Sequence, residues 1–102
     1  MASYSQQERK RFRAIGHLLR PIVTVGSKGL SEQLMQELDR ALVDHELIKI
    51  KIAGDRDERA VMIETILEAT GATCIQSVGG MFLILRRAAT PKPHLSNLIR
   101  HG

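Results

Sequence analysis

The chain has 102 residues and a mass of 11.4 kDa, room for one domain and one core but not for a two-domain cleft enzyme. Hydrophobic residues make up 43% and charged residues 25%, ordinary proportions for a globular domain, which excludes disorder across most of the length. The net charge of +4 is modest but uneven: residues 1–30 hold six Lys or Arg against one acid, residues 31–70 five against ten, and residues 71–102 four against none. A polyanion would be drawn to the two basic ends if folding brings them together, with the acidic middle turned elsewhere.

No apolar run approaches the roughly 20 residues of a membrane span, and the N-terminus lacks an apolar signal segment, so a protein of the cytosol or an organelle matrix that touches no membrane is expected, the cytoplasm being preferred. The single cysteine, Cys74, cannot form an internal disulfide, and neither His94 nor His101 stands at a metal-ligand spacing from it. No metal and no cofactor are expected.

Residues 5–19 read as a helix, with Phe12, Ile15 and Leu19 on one face, Leu18 widening that stripe, and Arg9, Arg13, His17 and Arg20 opposite. Pro21 ends it, and Ile22 to Val25 is a β-branched run that reads as a strand. Gly26-Ser27-Lys28-Gly29 follows as a loop. Ser31 is placed to cap a second helix whose buried face is Leu34, Leu38, Ala41 and Leu42.

After His45 and Glu46 the period changes to two, since Ile48, Ile50 and Ile52 alternate with Leu47, Lys49 and Lys51. Two ammonium groups on one strand face are costly to bury, so that part of the sheet should stay open to water or to an anion. Asp55 and Glu58 have the spacing of a capping box for a third helix, with Ala60, Ile63 and Leu67 inward and Gly71 after its end. Thr73 to Val78 and Met81 to Leu85 then form a hairpin around Gly79-Gly80.

The expected architecture is a single αβαβαββ domain of class α/β, a mixed four-stranded sheet with helices packed on one face. Residues 1–88 form the domain and residues 89–102 a basic, flexible tail, with one amphipathic helical turn at Leu95, Leu98 and Ile99 as the alternative to a frayed end. Asp39, Asp44 and Glu46 read as a solvated acidic surface.

The chemistry suggested by Gly26-Ser27-Lys28-Gly29 is anion binding, because glycines let backbone N–H groups approach a phosphate and Lys28 adds a mobile charge. A GxxG tetrapeptide is also what any tight strand-to-helix turn can use. It is neither a Walker A loop nor a GxGxxG dinucleotide loop.

Three ordered stretches are similar to the signatures of the CRM (chloroplast RNA splicing and ribosome maturation) domain: Arg13 to Pro21, Val25 to Ser31, and Ala41-Leu42 with His45 to Lys51. The resemblance runs from about Ser5 to Arg87, takes in Glu68-Ala69-Thr70-Gly71-Ala72 and Val78-Gly79, and in a chain this short points to the bacterial YhbY-like members. It implies a fold similar to the C-terminal domain of translation initiation factor three, and association with ribosomal RNA in precursors of the large ribosomal subunit. It also implies that Gly26 to Gly29 is the RNA-contacting element, comparable to the backbone clamp of KH domains. Gly16 stands where the family usually has Ala, Gly80 where Lys is common, and Leu85-Arg86-Arg87 where Tyr-Arg-Pro is usual.

Tyr4, Phe12 and Phe82 are the only aromatics, and both Phe sit in apolar patterns, so a base-stacking platform is not expected. Recognition should then fall on backbone phosphates, with Arg9, Arg13, Arg20, Lys28, Lys49, Lys51 and Arg86 as candidates beside Gly26, Ser27 and Gly29. His17 either bonds a phosphate or caps its helix. The leading expectation is a monomeric, non-catalytic RNA-binding protein with no small-molecule substrate. The alternatives are a protein adaptor on ribosomal particles that uses the acidic helices, and a small enzyme that binds a phosphate-bearing ligand at the same loop.

Overall fold

A computed structural model describes residues 3–101. Ser5 and Glu8 open the first helix, α1 (Gln6–Gly16), with a reciprocal capping box: the Glu8 N–H donates to Ser5 Oγ at 3.1 Å, and the Ser5 N–H to Glu8 Oε1 at 3.0 Å. The helix ends three residues earlier than its apolar spacing predicts. Gly16 ends it where the chain must turn toward Pro21, and Leu18, expected in the buried stripe, is 69% exposed.

The strand β1 (Pro21–Val25) leads through the glycine-flanked loop into α2 (Glu32–His45), capped by Ser31 Oγ, which accepts from the Leu34 N–H at 3.1 Å. β2 (Leu47–Ile52) follows, then α3 (Arg56–Thr70), with the Asp55–Glu58 capping box at one end and Gly71 in the left-handed conformation at the other. The hairpin β3 (Thr73–Val78) and β4 (Met81–Leu85) completes the sheet, and one short turn, α4 (Asn97–Arg100), ends the described chain.

The sheet order is β1-β2-β4-β3, with β1 parallel to β2, and β4 antiparallel to both β2 and β3. The crossovers β1-α2-β2 and β2-α3-β3 step in the same direction across the sheet. Right-handed crossovers in one direction put their helices on one face, and α2 and α3 do share a face, packing Leu38, Leu42, Ile63 and Ile66 on Val23, Val25, Ile48, Ile50, Ile52 and Ile84.

The expectation that every helix lies there is corrected for α1. It precedes the first strand, so no crossover constrains it, and its Phe12 and Ile15 pack on Leu47, Ile75, Leu83 and Leu85 of the opposite face. Gly16 makes that seat possible, because a Cβ at this position would lie 2.6 Å from Leu83 Cδ2.

The tail also departs from its expectation. Leu98 is buried beside Phe12 and Leu47, Ser96 Oγ donates to Glu46 Oε1 at 2.7 Å, and Asn97 Nδ2 donates to the Leu47 carbonyl at 2.7 Å. A docked segment replaces the frayed end, because Ser96 and Asn97 offer donors that pair with acceptors left over at the α2–β2 turn. Glu46 is accordingly no part of a solvated acidic surface. It is 3% exposed, holds the Ala88 N–H and the Ser96 hydroxyl, and has φ of +61° at the end of α2.

Candidate nucleic-acid interface

The alternation on β2 divides its side chains between two environments. Ile48, Ile50 and Ile52 are sealed beneath α2 and α3, while Lys49 and Lys51 point to the face that α1 covers only in part. Pro21 is level with Lys49 and Thr24 with Lys51, so β1 delivers its neighbours to the same surface. Beyond the ends of both strands comes the loop, its base fixed by the Ala53 N–H donating to the Val25 carbonyl at 2.9 Å.

The loop is a β-turn closed by the Gly29 N–H donating to the Gly26 carbonyl at 3.0 Å. Gly29 has φ of +77°, which explains glycine at the second position of the pair. At Gly26 an added Cβ would meet open space, so there the benefit of glycine is an uncovered backbone. Ser27 and Lys28 at the tip are exposed. An anion could therefore approach the turn from solvent without displacing a side chain.

His17 at the end of α1 lines one cleft with Lys49, Gln76, Met81 and Leu83. Its backbone N–H donates to the Arg13 carbonyl at 3.1 Å as the helix cap. Arg20 lines a neighbouring cleft with Lys49 and Ile22. Lys49 thus lies between His17 at the end of α1 and Arg20 in the link to β1, and Lys51 carries the charge two residues further toward the loop. Arg13 lies one turn before His17 on α1, and Arg9 one turn before that, where its charge acts on Cys74 of β3. Among the described residues none of Arg9, Arg13, Arg20, Lys28, Lys49 and Lys51 takes part in an ion pair.

Arg86 does not join them. It sits past the end of β4, level with the start of β2, and its guanidinium donates to the Asp39 carboxylate at 2.7 Å, the Thr70 carbonyl at 2.9 Å and the Asp39 carbonyl at 3.1 Å. It ties the middle of α2 to the end of α3, on the other side of the sheet and at the other end from the loop. Its guanidinium is thus engaged by structural partners, apart from the other basic candidates.

Glu32, Glu37, Glu64 and Glu68 are exposed on α2 and α3, beyond the sheet from Lys49 and Lys51. The charge imbalance along the sequence becomes a polarity in space. Phe12 is fully buried, Phe82 is 5% exposed, and Tyr4 meets the Phe12 ring edge-on with centroids 5.4 Å apart, so neither Phe ring is presented on the cationic face. Cys74 is half-buried, and burial pushes its thiol above the ordinary range, as suits a packing residue. Among the described residues no group of three or more His, Cys, Asp or Glu is placed to hold a metal ion, and no helix is long and apolar enough to cross a membrane.

Sequence reasoning missed Arg100, which reaches the cleft shared by Arg20 and Lys49. The spacing of Leu95, Leu98 and Ile99 allowed for a turn, and the further signal lay in two side chains, Ser96 and Asn97, able to bond neighbouring groups.

Comparison with known proteins agrees with this architecture. The chain is 40% identical over 97 residues to a Pseudomonas aeruginosa protein named Probable RNA-binding protein PA4753, covering 94% of this chain and 93% of that one. It is 33% identical over 96 residues to a Haemophilus influenzae protein named RNA-binding protein, covering 93% and 97%. The solution structure of SAV1595 from Staphylococcus aureus superposes with a TM-score of 0.74 at 26% identity, covering 92% of this chain and 98% of that one. The family model of the CRS1 / YhbY (CRM) domain matches residues 5–86, from the Ser5 cap of α1 to the Arg86 anchor, and the chain belongs to that family.

Proposed function

We propose that this protein binds RNA without catalysing a reaction, docking on structured ribosomal RNA in precursors of the large ribosomal subunit. The observation that carries the reading is the segregation of the unpaired cations Arg20, Lys49 and Lys51, with His17 beside them, onto one half-open sheet face that ends at an exposed glycine-flanked turn. The names of the relatives point the same way.

Buried Phe12 and Phe82 favour contact with backbone shape and charge over base stacking. Lys28, exposed and free of any carboxylate within ion-pair distance among the described residues, suits a charge contact better than proton transfer. The protein acts as a cytoplasmic monomer in this reading, with Gly26 to Gly29 receiving one stretch of the strand and the sheet face another.

Crosslinking in cells with sequencing of the attached RNA, paired with sucrose-gradient sedimentation, tests the proposal. Reads should concentrate on large-subunit ribosomal RNA, and the protein should travel with large-subunit precursors, an association that Lys28→Glu with Lys51→Glu weakens. A protein that stays at the top of the gradient with no RNA enriched would refute it. Association that survives nuclease digestion would instead point to a protein partner for the acidic helices.

A further inference from the structure

The docked tail places charge where nothing in the sequence pattern asked for it. Five contacts from distant residues hold residues 92–98: Lys92 to Asp44 at 2.5 Å, Leu95 O to His45 Nδ1 at 2.9 Å, Ser96 to Glu46, Asn97 to Leu47, and Leu98 O to Arg11 Nη2 at 2.8 Å. Leu98 anchors the segment in the core, and the following turn carries Arg100 to the rim of a cleft of about 180 Å³. Arg20, Lys49 and Arg100 line that cleft together with His45 and Asn97, and no carboxylate lines it.

Three cations gathered without a counter-charge repel one another, and the arrangement is relieved by an anion in their midst. Two of the three are arginines, whose planar forks match phosphate oxygens two at a time. His45 adds to the wall, its Nδ1 within hydrogen-bond distance of the Leu95 carbonyl at 2.9 Å.

We propose that the docked C-terminal turn completes a second phosphate-binding seat, Arg20, Lys49 and Arg100, for an RNA phosphodiester at the start of β1. This rests on the RNA-binding reading and extends it, because it makes the tail part of the interface. The seat and the Gly26–Gly29 loop stand at opposite ends of β1, about 17 Å apart at the usual strand rise. Two separated grips on one backbone set the direction in which it lies on the protein, which a single loop cannot do.

The test measures binding of the full-length protein to a large-subunit ribosomal RNA transcript as a function of salt. Arg100→Ala should weaken binding several-fold and reduce the steepness of the log-affinity against log-salt line by about 0.7–0.9, the share of one phosphate. Arg100→Lys should restore most of the slope. The double variant Ser96→Ala with Asn97→Ala keeps every cation but releases the turn, and should reproduce the Arg100→Ala loss while circular dichroism shows the domain folded. Wild-type affinity and slope in that double variant would mean that Arg100 acts from a loose tail, and would refute the docked seat. Unchanged binding in Arg100→Ala alongside weakened binding in Lys28→Ala would refute the seat and leave the RNA reading standing. Failure of the wild-type protein to bind the transcript would overturn both.

Discussion

Ile50 and Lys49 are neighbours on one strand, yet one is sealed between the sheet and two helices while the other looks onto a face that a single helix leaves partly open. The covered face is packed by the crossover helices, whose placement handedness fixes. The other face is packed only where α1 and Leu98 reach, over Leu47, Ile75, Leu83 and Leu85. What remains uncovered near the C-terminal ends of β1 and β2 is where Lys51 lies and the loop begins. The larger buried cluster thus lies on one side of the sheet and Lys49 and Lys51 on the other, and substitutions should separate stability from the proposed RNA binding.

The largest effect is expected from the covered face. Ile50→Ala should cost about 2–5 kcal/mol in denaturant unfolding, whereas Lys51→Ala should stay within about 0.5 kcal/mol of the parent. Equal losses from the two would break the division. A smaller loss is expected where the tail meets the α2–β2 turn: Ser96→Ala leaves a buried carboxylate oxygen of Glu46 without its donor, a cost of about 1–3 kcal/mol. No change there would mean that the tail contributes nothing to the fold.

Next comes the charge on the open face, read through RNA rather than through stability. Lys49→Ala and Lys51→Ala should each flatten the salt dependence of RNA affinity by about 0.7–0.9, while Glu64→Gln on the acidic side leaves it unaltered.

The smallest effect concerns pH. The hydrogen bond from Lys92 holds the Asp44 carboxyl below its usual range. A carboxyl depressed in the folded state contributes stability above its unfolded pKa, near 3.9, and loses it as pH falls through the lower folded value. The protection of the Leu95 and Ser96 amides, which bond to the Lys92 carbonyl, relative to their intrinsic exchange rates at the same pH should therefore fall as the solution is acidified below about pH 4. Lys92→Ala should remove that dependence.

Much of the fold was legible because local signals agree with one another. The change of period at Leu47, the Asp55–Glu58 box, Gly71 and the Gly79-Gly80 turn each mark a boundary that the structure keeps. The side of the sheet taken by α1 was not legible, because periodicity identifies an apolar stripe but not the surface that receives it. The docking of the tail was hidden for a related reason. Glu46 reads as one more surface acid until the turn it occupies and the donors of Ala88 and Ser96 are brought around it.

Within the site, alternation alone placed Lys49 and Lys51 on the open face. Arg86 was not separable from the other basic residues by sequence, because a positive charge does not by itself reveal a guanidinium tying α2 to the end of α3.

The most direct test of the division between faces is an amide chemical-shift titration of the isotopically labelled full-length protein with a large-subunit ribosomal RNA fragment. Shifts are expected at Thr24, Gly26 to Gly29, Lys49 and Lys51, joined by Arg20 and Arg100, with the exposed residues of α2 and α3 unmoved. Shifts concentrated at Glu37, Glu64 and Glu68, with the loop and Lys51 silent, would contradict that division.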